Sequence, residues 1–410
     1  MLPSAQSPPR PIARFRLGAV LGINQTLSWG MTFYLPAIVT GAAAETLHQA
    51  TFRILGAFSW ALLVTGLCAP RVGRWIDQHG GRGALLASIL VIALGQVLLA
   101  CAASLTQWYL GWTVIGAGMA IGLYDAAFAT IGGLLGQAAG PTITGVTLVA
   151  GFASTVFWTL GAALIGAFGW RGLLLSYAGL MLAINLPMVW LLVPPAPPRR
   201  RTAPRVTAAD GTRPDRRAVS YLAAFFTMRW FITSAIAVHI LPLLAGIGLT
   251  SAQAVGIAAV IGPGQVFGRI LEWTIGTRVG LLTKARLGAM LFPLGAAMLL
   301  TGGILGCLFA AAAFALLYGM SNGILTVNRG TLPLALFGAD GYARLLGWLA
   351  VPVLLAQATG PTLAAPLVAG LPALEVLLIS GAGAAAAMLF LLPLHLPPTS
   401  TRTERAVIGD

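Results

Sequence analysis

Charge is what this chain has least of. Only 8% of its 410 residues are Asp, Glu, Lys or Arg, where a typical water-soluble domain has about a quarter. With 58% of residues hydrophobic, it cannot present a wetted surface. The soluble globular classes are excluded, and a polytopic all-α membrane protein remains. Cysteine is nearly missing as well. Cys68, Cys101 and Cys307 fall in separate apolar segments at different depths, so neither a disulfide framework nor a thiolate metal site is expected. The four histidines, His48, His79, His239 and His395, are scattered through loops and different helices. Nothing resembles a phosphate-binding loop, a metal-ligand spacing or a nucleophile–base pair. No cofactor and no metal are expected, and a membrane-embedded enzyme or receptor is only a remote alternative.

Glycine and long apolar runs are what the chain has in quantity. The 51 glycines suit helices that pack backbone to backbone in lipid. A bilayer crossing takes about 20 apolar residues, and that window gives helices near 17–42, 52–70, 84–104, 108–135, 142–168 and 171–193. A second set lies near 219–245, 251–274, 285–303, 306–330, 343–368 and 372–394. The first run is too long for a signal-peptide core, so it is read as an uncleaved helix although Arg10, Arg14 and Arg16 precede it. Between the two sets, 194–218 is rich in proline and arginine, including Arg199, Arg200, Arg201, Arg213, Arg216 and Arg217. That composition reads as a solvated linker between bundles at 1–193 and 219–410.

Placing both termini and the linker on one side puts almost every basic residue there, and leaves only Arg53 and Arg171 opposite. By the positive-inside rule that side is cytoplasmic. The net charge of +14 is then a matter of topology, and no nucleic-acid partner is expected.

The one strongly polar run between two long apolar segments is Gly73-Arg74-Trp75-Ile76-Asp77-Gln78-His79-Gly80-Gly81-Arg82. It reads as a short loop at a membrane face, with glycines that let helix ends approach and arginines that hold the interfacial zone. The spacing of Gly73, Asp77, Gly80 and Arg82 resembles the loop between the second and third helices of major facilitator superfamily transporters. Gln78 stands where that family usually has a basic residue, and Arg82 alone where it often has two. The second half echoes the first, with Gly268-Arg269-Ile270-Leu271-Glu272 answering Gly73 to Asp77 and Leu317-Tyr318 answering Leu123-Tyr124.

The resemblance implies twelve helices in two pseudo-symmetric six-helix bundles that rock about a central site lined by helices 1, 4, 7 and 10. It implies a latch of Asp77 with Arg74 and Arg82, and a counterpart of Glu272 with Arg269. It also implies a secondary carrier of the bacterial inner membrane, working as a monomer in the lipid bilayer.

Charges inside a membrane are costly and usually face a cavity or a partner. Asp125 in helix 4 and Arg229 in helix 7 each lie about ten residues, or about 15 Å, from the cytoplasmic end at 1.5 Å per residue. Arg229 is therefore a candidate anion site and Asp125 a candidate proton carrier, unless the two simply pair with each other. Asn24 and Gln25 are adjacent and point about 100° apart, so one is expected to line the cavity while the other packs. Trp230 could flank the site, Ser321 and Asn322 lie deep enough in helix 10 to meet substrate, and Arg329 reads as a gate or anchor. His239 is a possible proton group. Helix 5 lacks the Gly-Pro pair frequent in drug–proton antiporters of the family, and Gly169-Trp170-Arg171 at the start of helix 6 resembles monocarboxylate carriers. The expectation is proton-coupled symport of a small organic anion of monocarboxylate type. Proton-driven efflux of drugs, metalloids or other toxic compounds is the alternative.

Overall fold

The computed structural model describes residues 11–195, 215–275, 278–302 and 306–396, and among these the chain is helical with no strand. Arg10, the linker arginines from Arg199 to Arg213, and the division at 194–218 lie wholly or largely outside the described residues. Seven helical stretches are long and apolar enough to cross a bilayer alone, and one of them, Leu105–Leu192, runs 88 residues. Laid straight, that stretch would reach about 130 Å, some four bilayer cores. The chain reverses near 136–140 and again at Gly169 (φ 66°, ψ 177°), so the stretch makes three crossings. Three further helices complete twelve among the described residues: one broken by a proline, one with Lys284 and Arg286 near its start, and one of only 17 residues.

In chain order, α1 is Pro11–Gly30 continued by Pro36–Thr46, α2 is Thr51–His79 and α3 is Gly81–Ala100. Helix α4 is Leu105–Gly122 continued by Tyr124–Leu135, α5 is Gly140–Ala150 continued by 153–168, and α6 is 170–180 continued to Leu192. The second half comprises α7 (Arg216–Gly246), α8 (Ser251–Ile275), α9 (Leu281–Met298), α10 (Cys307–Phe337), α11 (Tyr342–Gly370) and α12 (Ala373–Leu389).

Hydropathy marks where a helix leaves the lipid, which is not where it stops. The run from Gly73 is therefore no loop: α2 stays helical to His79, and Gly80 (φ 82°) makes the turn. Likewise α10 continues to Phe337, past Pro333, well beyond the limit of 330 read from hydropathy.

The outward side chains are apolar ones such as Leu67, Leu94 and Phe309, as a lipid solvent requires. The first six helices share one core, which includes Leu21, Ile54, Trp108 and Phe157; the last six pack around Phe292 and Phe314 and around Phe225 and Leu332. The pseudo-symmetry extends to polar ties. Arg82 at the start of α3 donates to the Trp190 carbonyl at the end of α6. Arg286 near the start of α9 donates to the carbonyls of Leu391 and Leu392 after α12, at 3.0 and 3.1 Å. Each cation satisfies carbonyls left open at a helix end.

Across the halves, α2 lies against α11 so closely that a side chain at Gly73 would run into the Ala343 carbonyl, and one at Gly347 into that of Ala69. Gly73→Val should therefore cost about 1–3 kcal/mol through overpacking. A lowered thermal midpoint of the purified protein would register this, and an unchanged one would show that the seam yields.

Candidate functional site

Three helices of the first half are interrupted at mid-depth. In α1 the proline ring of Pro36 removes a ladder hydrogen bond, and 31–35 form irregular turns held by bonds such as Tyr34 N–H to the Trp29 carbonyl. In α4, Leu123 adopts an extended conformation, and α5 breaks at Gly151 and Phe152. These breaks face α8 and α10 of the other half.

Asp125 stands in the first turn after the α4 break, and its Oδ2 accepts a bond from Arg329 Nη2 of α10 at 2.7 Å. The carboxylate read from sequence as level with Arg229 is thus paired with Arg329, across the two halves. Asp125 Oδ1 is buried with no partner among the described residues. The Arg329 guanidinium lies 5.6 Å from the ring centre of Trp230, so Trp230 touches the pair from α7. A pocket around the pair is lined by Trp29, Phe33, Tyr124, Asp125, Arg329 and Gln357, among others. Trp29 and Tyr124 form an aromatic wall, their ring centres 4.8 Å apart.

Arg229 is 1% exposed. It donates to Thr233 Oγ1 (2.5 Å), Ser321 Oγ (3.1 Å) and Asn322 Oδ1 (2.8 Å), and lies 5.0 Å from the Phe292 ring centre. All of these partners are neutral. Sequence reading brought Arg229, Ser321 and Asn322 to one site, and the structure joins them. It missed Thr233, which lies one helical turn from Arg229 and could have been found from that spacing.

Asn24 and Gln25 are both turned into the first bundle rather than one of them toward a cavity. Gln25 Nε2 donates to Asn24 Oδ1 (3.0 Å) and to the Gly122 carbonyl (2.7 Å), and Asn24 Nδ2 donates to Asn185 Oδ1 (3.0 Å). The open carbonyl at the α4 break is what draws Gln25 inward. His239 Nε2 sits 3.0 Å from the Pro361 carbonyl, tying α7 to α11.

The two expected latches have separate fates. Asp77, 8% exposed, accepts from the backbone N–H groups of Arg344 (2.9 Å) and Ala343 (3.3 Å), and so holds the first turn of α11 in the other half. A carboxylate at a helix N-terminus satisfies open N–H groups and the helix dipole together. Arg74 is exposed, and Arg82 is engaged at the end of α6. In the second half, Glu272 is held by Lys284 Nζ (2.7 Å) and by Thr144 Oγ1 of α5 (3.2 Å), not by Arg269. By pseudo-symmetry the pattern repeats: α2 grips α11, and α8 grips α5.

Arg269 is 5% exposed. Among the described residues it has no hydrogen-bond or ion-pair partner, and its Nε is buried and unsatisfied. No group of His, Cys, Asp or Glu able to hold a metal occurs among the described residues.

Among curated proteins, no relative is found by sequence. Solved structures do match. A human organic anion transporter superposes with a TM-score of 0.73 at 16% identity, over 94% of this chain and 100% of its own. The E. coli fucose:proton symporter gives 0.69 at 15% identity, over 91% and 97%. A proton:xylose symporter bound to 6-bromo-6-deoxy-D-glucose gives 0.67 at 13%, over 93% and 94%. At such identities these show a common fold. The description Major Facilitator Superfamily belongs to the family model that matches residues 21–333, more than half the chain, and to that superfamily of transporters this protein belongs.

Proposed function

We propose that this transporter moves a small organic anion of monocarboxylate type together with a proton, by alternating access in a bacterial inner membrane. The observation that carries the reading is uncompensated positive charge in the interior. Arg229 and Arg269 are nine-tenths buried or more with no carboxylate partner among the described residues, while Asp125 neutralises only Arg329. Burying an ion costs several kcal/mol unless it is paired, and intramembrane charges that persist are usually functional. A small anion in the centre would supply the missing charge. Among the fold neighbours, one is an organic anion transporter and two are proton symporters, which agrees with both parts of the reading.

Asp125 is the proton carrier of this scheme, because protonating it removes the attraction that closes α4 on α10. His239, held on a carbonyl of α11, takes no part. The cross-half contacts from Asp77, Thr144, Asp125 and Gln137 lie in the half of the molecule toward the linker. With that face cytoplasmic by the positive-inside rule, the conformation is closed to the cytoplasm and would load from outside. The carrier works as a monomer.

Ligand-induced thermal stabilisation of the purified protein tests the reading. Lactate, acetate and benzoate would be compared with their amides, with lipophilic cations and with arsenite. A ligand at 100 times its Kd should add about 2.7 kcal/mol. Carboxylates are expected to stabilise, more strongly in acid than in alkali because a proton is bound with them. Arg229→Gln should weaken that binding about tenfold or more by removing one charge near the site, with the amides unaffected. Stabilisation by cations or arsenite alone would replace the anion reading with efflux.

A further inference from the structure

Arg269 carries an inference that deepens this reading and rests on it. The family pattern puts Arg269 beside Glu272 in a gate, yet Glu272 is occupied by Lys284 and Thr144, and the guanidinium turns elsewhere. It lies against Gly151, where any side chain would collide with Nη1. Gly151 is the break in α5, and Tyr34 and Tyr124, at the breaks in α1 and α4, are within electrostatic reach of the same guanidinium. Tyr34 is hydrogen-bonded to Ser154 in the first turn after the α5 break. Hydroxyls from three interrupted helices of one half therefore surround a single buried cation from the other.

Two alternatives fail on magnitude and geometry. A guanidinium near the carbonyl end of the Gly140–Ala150 segment gains from the helix dipole, but that gain is a fraction of the cost of burying an unpaired ion. The last carbonyls there are already used, since Gly151 N–H bonds to the Thr147 and Leu148 carbonyls and Phe152 N–H to that of Val149. A gate role would need a carboxylate partner, and among the described residues none is bonded to Arg269.

We infer that Arg269 is the direct anchor for the carboxylate of a monocarboxylate whose aromatic or similarly flat apolar body rests on the Trp29–Tyr124 wall. Tyr124 belongs both to the surroundings of Arg269 and to the pocket beside the Asp125–Arg329 pair, so it links the two ends of such a molecule. One carboxylate is the right number, because Asp125 already neutralises Arg329 and the donors of Arg229 are directed to oxygens of α7 and α10. Binding would draw a cation of α8 and hydroxyls of α1, α4 and α5 onto one ligand, which joins the halves.

The test uses the full-length purified protein with benzoate, acetate and benzamide as probes. Wild type should bind benzoate more tightly than acetate. Arg269→Gln should weaken benzoate about hundredfold, the loss seen when one member of a desolvated charge pair is removed, and leave benzamide unchanged. Arg269→Lys should restore part of the affinity. Gly151→Val keeps the charge but displaces it, and should also lose benzoate while retaining the wild-type melting temperature in the absence of ligand. Wild-type benzoate affinity in a folded Arg269→Gln protein, with Arg229→Gln weakened, would overturn the inference and leave the anion carrier standing. No carboxylate binding by wild type would remove both.

Discussion

Arg329→Gln should destabilise the protein by about 3 kcal/mol, the lower end of the cost of breaking a buried ion pair. The cost arises because Asp125 would remain at the α4 break as a carboxylate with no counter-charge. Its side chain keeps 22% exposure and that of Arg329 13%, which holds the penalty below that of a fully dry pair. Asp125→Asn alone leaves Arg329 beside Trp230 and should cost less, since a guanidinium retains the ring contact. The double substitution should recover much of the loss of Arg329→Gln, so the two single effects would not add. Thermal unfolding of the four proteins gives the coupling energy directly. A coupling near zero would mean that the pair is solvated in the working molecule.

The same substitutions separate stability from transport. Asp125→Asn should retain exchange of substrate across proteoliposomes but lose accumulation driven by a proton gradient, because no titrating group would remain on α4 at the cavity. Undiminished accumulation would exclude Asp125 as the proton carrier.

How these residues were legible in the sequence differs from one to the next. Depth along a helix can be counted from its polar ends, and this placed Asp125 and Arg229 in the interior. Partner choice depends on helix rotation, which the extended Leu123 resets for the second segment of α4, and no count of residues reports that. Arg329 looked peripheral because the apolar window ends at 330. Helix α10 in fact runs to Phe337, so Arg329 lies eight residues, about 12 Å, inside the helix end. The glycine and carboxylate pattern from Gly73 to Arg82 identified the family, but a loop was read where two helical turns stand. The grip of Asp77 on α11 joins residues 266 and 267 positions apart, beyond any local pattern. Lys284 was counted only as an interfacial charge, since its partner Glu272 lies across a turn of uncertain length in the sequence.

Asp77→Asn together with Glu272→Gln should shift the balance between the two faces of the carrier by about a hundredfold toward opening at the linker face. Asp77 makes two charge-assisted bonds to the α11 N-terminus. Losing its charge while keeping its shape should remove about 1–2 kcal/mol, since charged hydrogen bonds contribute about 1.5–3 kcal/mol and an amide retains part of that. Glu272→Gln leaves Thr144 a neutral acceptor and frees Lys284, with a loss of similar size. Each change is about tenfold in a two-state equilibrium, and the two sites lie on separate helix pairs, α2 with α11 and α8 with α5, so their effects should nearly add. Spin labels at the exposed positions Gln78 and Asp340, in a background without Cys68, Cys101 and Cys307, would report the distance between α2 and the start of α11. A longer, newly dominant distance in the double variant, with single variants intermediate, is the expected result. An unchanged distribution would reduce Asp77 to a cap on α11 and Glu272 to an anchor for Lys284, and the closed linker face would then have to rest on the glycine-lined seam between α2 and α11 alone.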